Sequence, residues 1–245
     1  FARKFNRIIF LIQSNYYKME KVEKLLQVLE QKFTAHPWHG IKIGEKSPEL
    51  INSFIEIIPS DAMKYEVDKA SGYIMVDRPQ KYSNHLPAMY GFVPQTICKE
   101  QVAEYCMEKT GKTGIEGDDD PLDICVLSER EVNRGSIIVE AIPIGGFRMI
   151  DGGEADDKIV AVVKGDQAYG NITDIKDAPD MVINRLKHFF LTYKALEGDS
   201  KEVEITHTYG REEALEVINR SYNDYMNHYG DVDQKLKEVL ASVEV

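Results

Sequence analysis

The chain has 245 residues, a formal net charge of -11, 43% hydrophobic and 29% charged residues. That length supports one large domain or two small ones around a full core. The acidic balance argues against general binding to nucleic acid or to an anionic membrane. Three cysteines, Cys98, Cys106 and Cys125, form no C-x-x-C pair, which fits a reducing compartment such as the cytoplasm.

Residues 1–18 carry Arg3, Lys4, Arg7 and Lys18 and no acid. The apolar run Ile8 to Ile12 is too short to span a bilayer, and no small-residue cleavage site follows it. This lead reads as a targeting presequence or, preferably, as sequence upstream of a natural start at Met19. The fold is therefore expected within 19–245. Met19 to Phe33 reads as an amphipathic helix through Val22, Leu25, Leu26, Leu29 and Phe33. His36-Pro37-Trp38-His39-Gly40 reads as a packed turn, because Pro37 spoils a helical pairing of the two histidines.

Ser53 to Ile58 is a strand with one misfit, Glu56 among Phe54, Ile55, Ile57 and Ile58. Lys64 to Asp68 alternates, Lys69 to Gly72 turns, and Tyr73 to Arg78 returns as the second arm of a hairpin. Lys64, Glu66 and Arg78 would then share a face. Asn84 to Gln95 is irregular, and Tyr90-Gly91 suggests a tight bend. Gln101 to Lys109 has a weak helical pattern, followed by an exposed loop.

That loop leads to Gly117-Asp118-Asp119-Asp120-Pro121-Leu122-Asp123, which feeds the apolar run Ile124-Cys125-Val126-Leu127. Pro121 belongs before a strand because it cannot donate a ladder hydrogen bond. Carboxylates crowded at the mouth of a core strand repel one another, and burying them unpaired is costly. A divalent cation relieves both problems. Hard oxygen donors suit Mg²⁺, Mn²⁺ or Ca²⁺ rather than Zn²⁺.

Ser136 to Ile144 is a long β-like run, broken by Gly145-Gly146 and resumed from Phe147 to Ile150. Asp151 follows, then Gly152-Gly153, then Asp156 and Lys158 two apart at the mouth of a strand ending at Val163. Twice, then, carboxylates stand at the end of an apolar strand, as two halves of one metal site would. Pro179 to Leu196 is a helix with the stripe Val182, Leu186, Phe189, Tyr193 and Leu196, and Gly198 is its stop signal. Glu202 to Tyr209 alternates as a strand. Arg211 to Tyr229 closes the chain as an amphipathic helix through Leu215, Ile218, Tyr222 and Tyr225. Strands dominate the middle and helices the ends, so a β-core domain with flanking helices is expected.

More carboxylates than one ion needs imply several divalent metals, and the lysines, Arg78 and two phenols would grip a compact oxyanion. Phosphoryl transfer to water has these requirements: metals neutralise phosphate oxygens and acidify water, and a carboxylate takes its proton.

The run Asp118-Asp119-Asp120-Pro121-Leu122-Asp123-Ile124 resembles the signature of the soluble family I inorganic pyrophosphatases. FIEIIPSDAMKYEVDKASGYIMVDR, Asp151 with Asp156 and Lys158, and HFFLTYK ending at Lys194 match it in order. HPWHG, VDRPQKYSN and IPIGGFRMIDGGEADDK are similar to a bacterial branch with chlamydial and Bacteroidetes enzymes. The resemblance implies a mainly β (α+β) fold, a five-stranded closed barrel of the OB type with helices outside, and Mg²⁺-dependent hydrolysis of pyrophosphate. It implies Asp118, Asp123, Asp151, Asp156 and Glu66 as metal residues and Asp120 as general base. Lys64, Arg78, Lys158, Tyr193 and Lys194 would bind phosphate, while Glu56 and Tyr90 would orient the groups that touch metal and substrate. A cytoplasmic homo-oligomer follows by the same resemblance, its subunit number open.

Two departures stand out. Leu86 occupies a position where many members carry tyrosine, and the segment from Tyr90 to Asp118 is longer than in short bacterial enzymes. The alternative function is a metal-dependent phosphohydrolase of nucleotides or sugar phosphates. A non-enzymatic Ca²⁺ module fits less well, since EF-hand spacing is absent and a Ca²⁺ store needs no ring of lysines.

Overall fold

The computed structural model describes residues 24–25, 33–80, 85–194 and 203–242. The lead 1–18, most of the expected first helix, Asn84, Leu196, Gly198 and Glu202 lie outside the described residues. The chain divides into two compact units, His36–His228 and a second made of Phe1–Ala35 with Tyr229–Val245. Among the described residues no helix is long and apolar enough to cross a membrane.

The larger unit is mixed α+β and mostly sheet. Strand β1 (Ile51–Ile57) precedes the hairpin of β2 (Met63–Val67) and β3 (Ile74–Pro79). Then come β4 (Met89–Phe92), helix α1 (Glu100–Thr110), β5 (Glu116–Gly117) and β6 (Asp123–Leu127). The long β7 (Ile137–Asp151), β8 (Glu154–Ala155) and β9 (Lys158–Val163) follow. Helix α2 (Asp180–Thr192), β10 (Val203–Gly210) and helix α3 (Arg211–His228) complete it. The smaller unit contains helix α4 (Val232–Ser242), which the sequence pattern did not single out.

Pairings β1–β4, β4–β6, β6–β9, β9–β7 and β7–β1 close a ring of five strands. The only parallel pair in that ring is β6–β9, which sets Asp123 beside Lys158. Strand β7 serves four partners: β1 along its first third, β9 along its middle, β10 along its second half, and β8 at its last two residues.

Both faces of the central strands are buried, which is why they read as continuous apolar runs. Ile124 and Val126 of β6, with Ile159 and Ala161 of β9, pack in one core together with Val102 and Cys106 of α1 and Val217 and Ile218 of α3. The alternate residues Cys125, Leu127, Val160 and Val162 pack in a second core with Leu186, Phe189 and Phe190 of α2. Leu86 is buried in this second core.

Two expectations about glycines are corrected. Tyr90-Gly91 is not a bend but the middle of β4. A Cβ on Gly91 would stand 1.8 Å from the Phe54 carbonyl oxygen, so the glycine permits close approach to β1 rather than a turn. Gly145-Gly146 likewise does not break β7. A Cβ on either would lie 2.4–2.5 Å from Tyr209 atoms, so these bare positions let β10 pack against an unbroken strand.

The weak pattern after Gln101 is a full helix, because its start is capped from elsewhere. Asp224 of α3, 2% exposed, accepts from the backbone N–H of Lys99 and Gln101 at 3.1 Å and of Val102 at 3.2 Å. Those are the amides a helix leaves without internal partners. The apolar stripe of α2 is wider than the spacing suggests: Ile183 and Phe190 join Leu186 and Phe189 in the core, Val182 and Tyr193 pack against it, and Tyr193 forms the C-cap.

Candidate active site

A cavity of about 350 Å³ opens where the aspartate turn, the ends of β7 and β9, the β2–β3 hairpin and the end of α2 meet. The turn is held by its own hydrogen bonds. Asp118 Oδ1 accepts from the Asp120 N–H at 2.9 Å. Asp119 adopts φ 60, a left-handed conformation that aspartate tolerates. The Asp119 N–H donates to the Cys98 carbonyl at 3.2 Å and the Cys98 N–H to the Asp120 carbonyl at 2.9 Å. A Cβ on Gly117 would meet that Cys98 carbonyl at 2.2 Å, so the turn is strapped to the residues that lead into α1. The long segment from Tyr90 to Asp118 therefore buttresses the acidic turn.

Asp118, Asp120, Asp123, Asp151 and Asp156 all line the cavity, with Glu56 and Glu66. So do Lys64, Lys158, Lys194, Tyr90 and Tyr193. Arg78 is the exception: it stands opposite Lys64 in the hairpin, with Nε 3.7 Å from Asp77, and is not part of the cavity wall. The register of β6 with β9 brings Asp123 to Lys158, and the alternation of extended chain puts Asp156 on the same side as Lys158. Asp157, between them, turns inward to the fully buried Arg148, 3.2 Å away.

The electrostatics are those of crowded carboxylates. Burial, then the charge of Asp156, pushes Asp118 up to about 9. Burial raises Asp123 as well, opposed by Lys158. Glu56 is pushed up to about 8 by burial, and it accepts from the Val67 N–H at 2.7 Å. Tyr90 Oη donates to Asp123 Oδ2 at 2.5 Å, and burial with the Asp123 charge holds its hydroxyl well above the usual phenol range. Burial alone would lower Lys158, but Asp123 and Asp156 outweigh it and hold the ammonium well above the usual lysine range.

Each cavity lysine is ion-paired with a cavity carboxylate: Lys64 with Glu66, Lys69 with Asp120, Lys158 with Asp123 and Asp156, Lys194 with Asp151. Among the described residues no three acids, histidines or cysteines are drawn together as a preformed cage for a metal ion. Lys158 bridges Asp123 and Asp156 instead, its ammonium paired with both carboxylates. The donor set nonetheless fits hard divalent ions: all oxygen, strongly acidic, and with Asp118 and Asp123 destabilised as bare anions.

Sequence reading missed Trp38, Lys69 and Glu154 on the wall, and Asp77 beside Lys64 at 3.0 Å. In the sequence alone Lys69 reads as a turn residue and Trp38 as part of a packed turn. The packing is as expected: Trp38 is 3% exposed and its Nε1–H donates to the Thr96 carbonyl at 2.7 Å. Only the fold brings that turn to the cavity.

Comparison with known proteins points the same way as the geometry. The family model described as inorganic pyrophosphatase matches residues 53–226. The chain is 47% identical over 199 residues to an inorganic pyrophosphatase of Chlamydia caviae, covering 79% of this chain and 92% of that one. It is 36% identical to soluble inorganic pyrophosphatase 1 of Arabidopsis thaliana, covering 84% and 89%. The crystal structure of inorganic pyrophosphatase from Thermus thermophilus superposes with a TM-score of 0.66 at 33% identity, covering 78% and 99%.

Proposed function

Since the chain belongs to the inorganic pyrophosphatase family, a metal-dependent family, and hydrolyses pyrophosphate to two phosphates, we propose that the cavity at the aspartate turn is where it does so. The observation that carries this reading is convergence. Acids and lysines from segments as distant as Glu56 and Lys194 meet on one wall. Nucleotides or sugar phosphates as substrates are not favoured by any of the relatives described above.

Asp118, Asp123, Asp151 and Asp156 hold divalent cations in this reading, with Glu66 nearby, and Mg²⁺ is the preferred ion, Mn²⁺ its substitute. When bound, such ions neutralise phosphate oxygens and acidify the attacking water. Asp120 takes the proton of that water, its exposed carboxylate standing at the cavity mouth on a backbone tied to Asp118. Lys64, Lys158, Tyr193 and Lys194 bind the phosphate groups. Arg78 joins them from its place behind Lys64. Tyr90 orients Asp123 through its hydroxyl, and Glu56 steadies the hairpin through the Val67 amide. The ring of five strands is read as a closed barrel of the OB type. Residues 19–245 are read as one pyrophosphatase domain that assembles into a cytoplasmic homo-oligomer, and the three free, buried cysteines fit a reducing compartment.

The test is phosphate release from pyrophosphate, ATP and a simple phosphomonoester, with and without Mg²⁺. Pyrophosphate turnover that requires Mg²⁺ is expected, and Asp120→Asn should fold normally and lose most of it. Metal-independent turnover, or near-normal turnover by Asp120→Asn, would remove the assigned roles.

A further inference from the structure

Four lysines line the cavity, and one of them, Lys69, sits in the hairpin turn and has no role in the chemistry expected from the sequence. We propose that Lys69 is a further phosphate-binding residue of this site, held over Asp120 by the His36-Pro37-Trp38 turn. The inference rests on the reading of the cavity as the pyrophosphate site.

The first observation is a shared pattern. Lys64, Lys158 and Lys194 each pair with a carboxylate of the cavity wall, and Lys69 does the same with Asp120. A lysine whose carboxylate partner is engaged elsewhere leaves an ammonium facing the cavity, where a small polyanion would meet it. Asp120 stands at the water-attack side in the proposed mechanism. A cation paired with it is placed for the phosphate group that the water attacks.

The second observation is that the backbone of Lys69 is anchored on several sides. Asp68 Oδ2 accepts from the Ser71 N–H at 2.9 Å, and the Gly72 N–H donates to the Asp68 carbonyl at 2.8 Å. Gly72 has φ +75, and a Cβ there would sit 2.8 Å from His36 Cδ2, so the hairpin turn nests against the imidazole. His36 Nε2 lies 3.2 Å from the Lys69 carbonyl, within hydrogen-bond distance. The Trp38 ring lies beneath the ammonium, 5.7 Å from Nζ to its centroid. Trp38 itself is fixed by its bond to Thr96, and its carbonyl accepts from the Gln95 N–H at 2.9 Å. A solvated turn lysine needs none of this. The HPWHG turn, which the proposed mechanism otherwise leaves without a role, thus becomes the platform for a cavity cation.

Lys69 has a side chain 58% exposed, so truncating it does not threaten the core. Lys69→Ala should raise KM for pyrophosphate about tenfold at saturating Mg²⁺, as loss of one charge-assisted contact implies, with kcat within about threefold. Calorimetric titration with inorganic phosphate should show a parallel weakening of Kd, and Lys69→Arg should recover most of both. Unchanged KM and Kd would overturn the proposal. So would a fall in kcat at constant KM, which would make Lys69 a mere aligner of Asp120. Asp120→Asn is measured alongside. If it loses turnover while Lys69→Ala matches the parent, only the Lys69 assignment fails. If Asp120→Asn keeps its turnover, the reading of the cavity fails by itself.

Discussion

Gly91→Ala tests whether close approach of two backbones, rather than a bend, is what the chain needs at that position. The added Cβ would lie 1.8 Å from the Phe54 carbonyl oxygen and 2.9 Å from the Ile55 Cα. Real contacts of this kind stay beyond 3.0 Å, so β1 and β4 must separate by about 1.2 Å at the point where Ile55 faces Gly91. Overpacking of this sort costs about 1–3 kcal/mol. Two stretched ladder bonds add about 1 kcal/mol each. The expected loss is therefore about 3–5 kcal/mol, a fall in Tm of roughly 6–20 °C for a unit of this size. Gly114→Ala is the control: it has φ +73 but nothing within 4 Å of its Cβ position, so only the left-handed conformation is penalised, by about 1 kcal/mol. Urea denaturation followed by circular dichroism measures both. Because Tyr90 and Glu56 ride on the two strands, turnover should fall with the Gly91 variant as well. A Gly91→Ala protein no less stable than Gly114→Ala would refute the reasoning.

Asp224→Ala removes the acceptor for three amides at the start of α1 and should cost about 2–3 kcal/mol, with Asp224→Asn costing about half as much. Chemical denaturation checks it, and a loss below about 0.5 kcal/mol for the alanine variant would show that the helix does not depend on this cap. His39 is lowered to about 4, by burial and then by the charge of His36. Its folded value lies below the unfolded one, so its contribution to stability is full above about pH 6.5 and is lost as pH falls toward 4, the loss being reduced by solvent screening because His39 is only half-buried. His39→Gln should flatten the stability profile between pH 7 and pH 5, and an identical slope in the variant would count against that assignment.

The order of the elements was legible from local patterns. Alternation and apolar runs located β1, the hairpin, β6, β9 and β10, and helical spacing located α2 and α3, each within a few residues. The acidic turn announced itself because four aspartates before a core strand have no purely structural explanation. What local patterns could not decide was every feature that depends on a partner distant in sequence. Gly91 and Gly145-Gly146 looked like breaks because glycine has no side chain to show what presses against it. Helix α1 looked weak because its cap comes from Asp224, more than a hundred residues away. Lys69 looked like solvent-facing turn chemistry until the hairpin came to rest against Trp38 and Asp120. A residue's own letters carry its conformational preference and its charge. Which charges meet, and at what distance, is set only when the ring of strands closes, because closure brings the ends of β6, β7 and β9 to one rim.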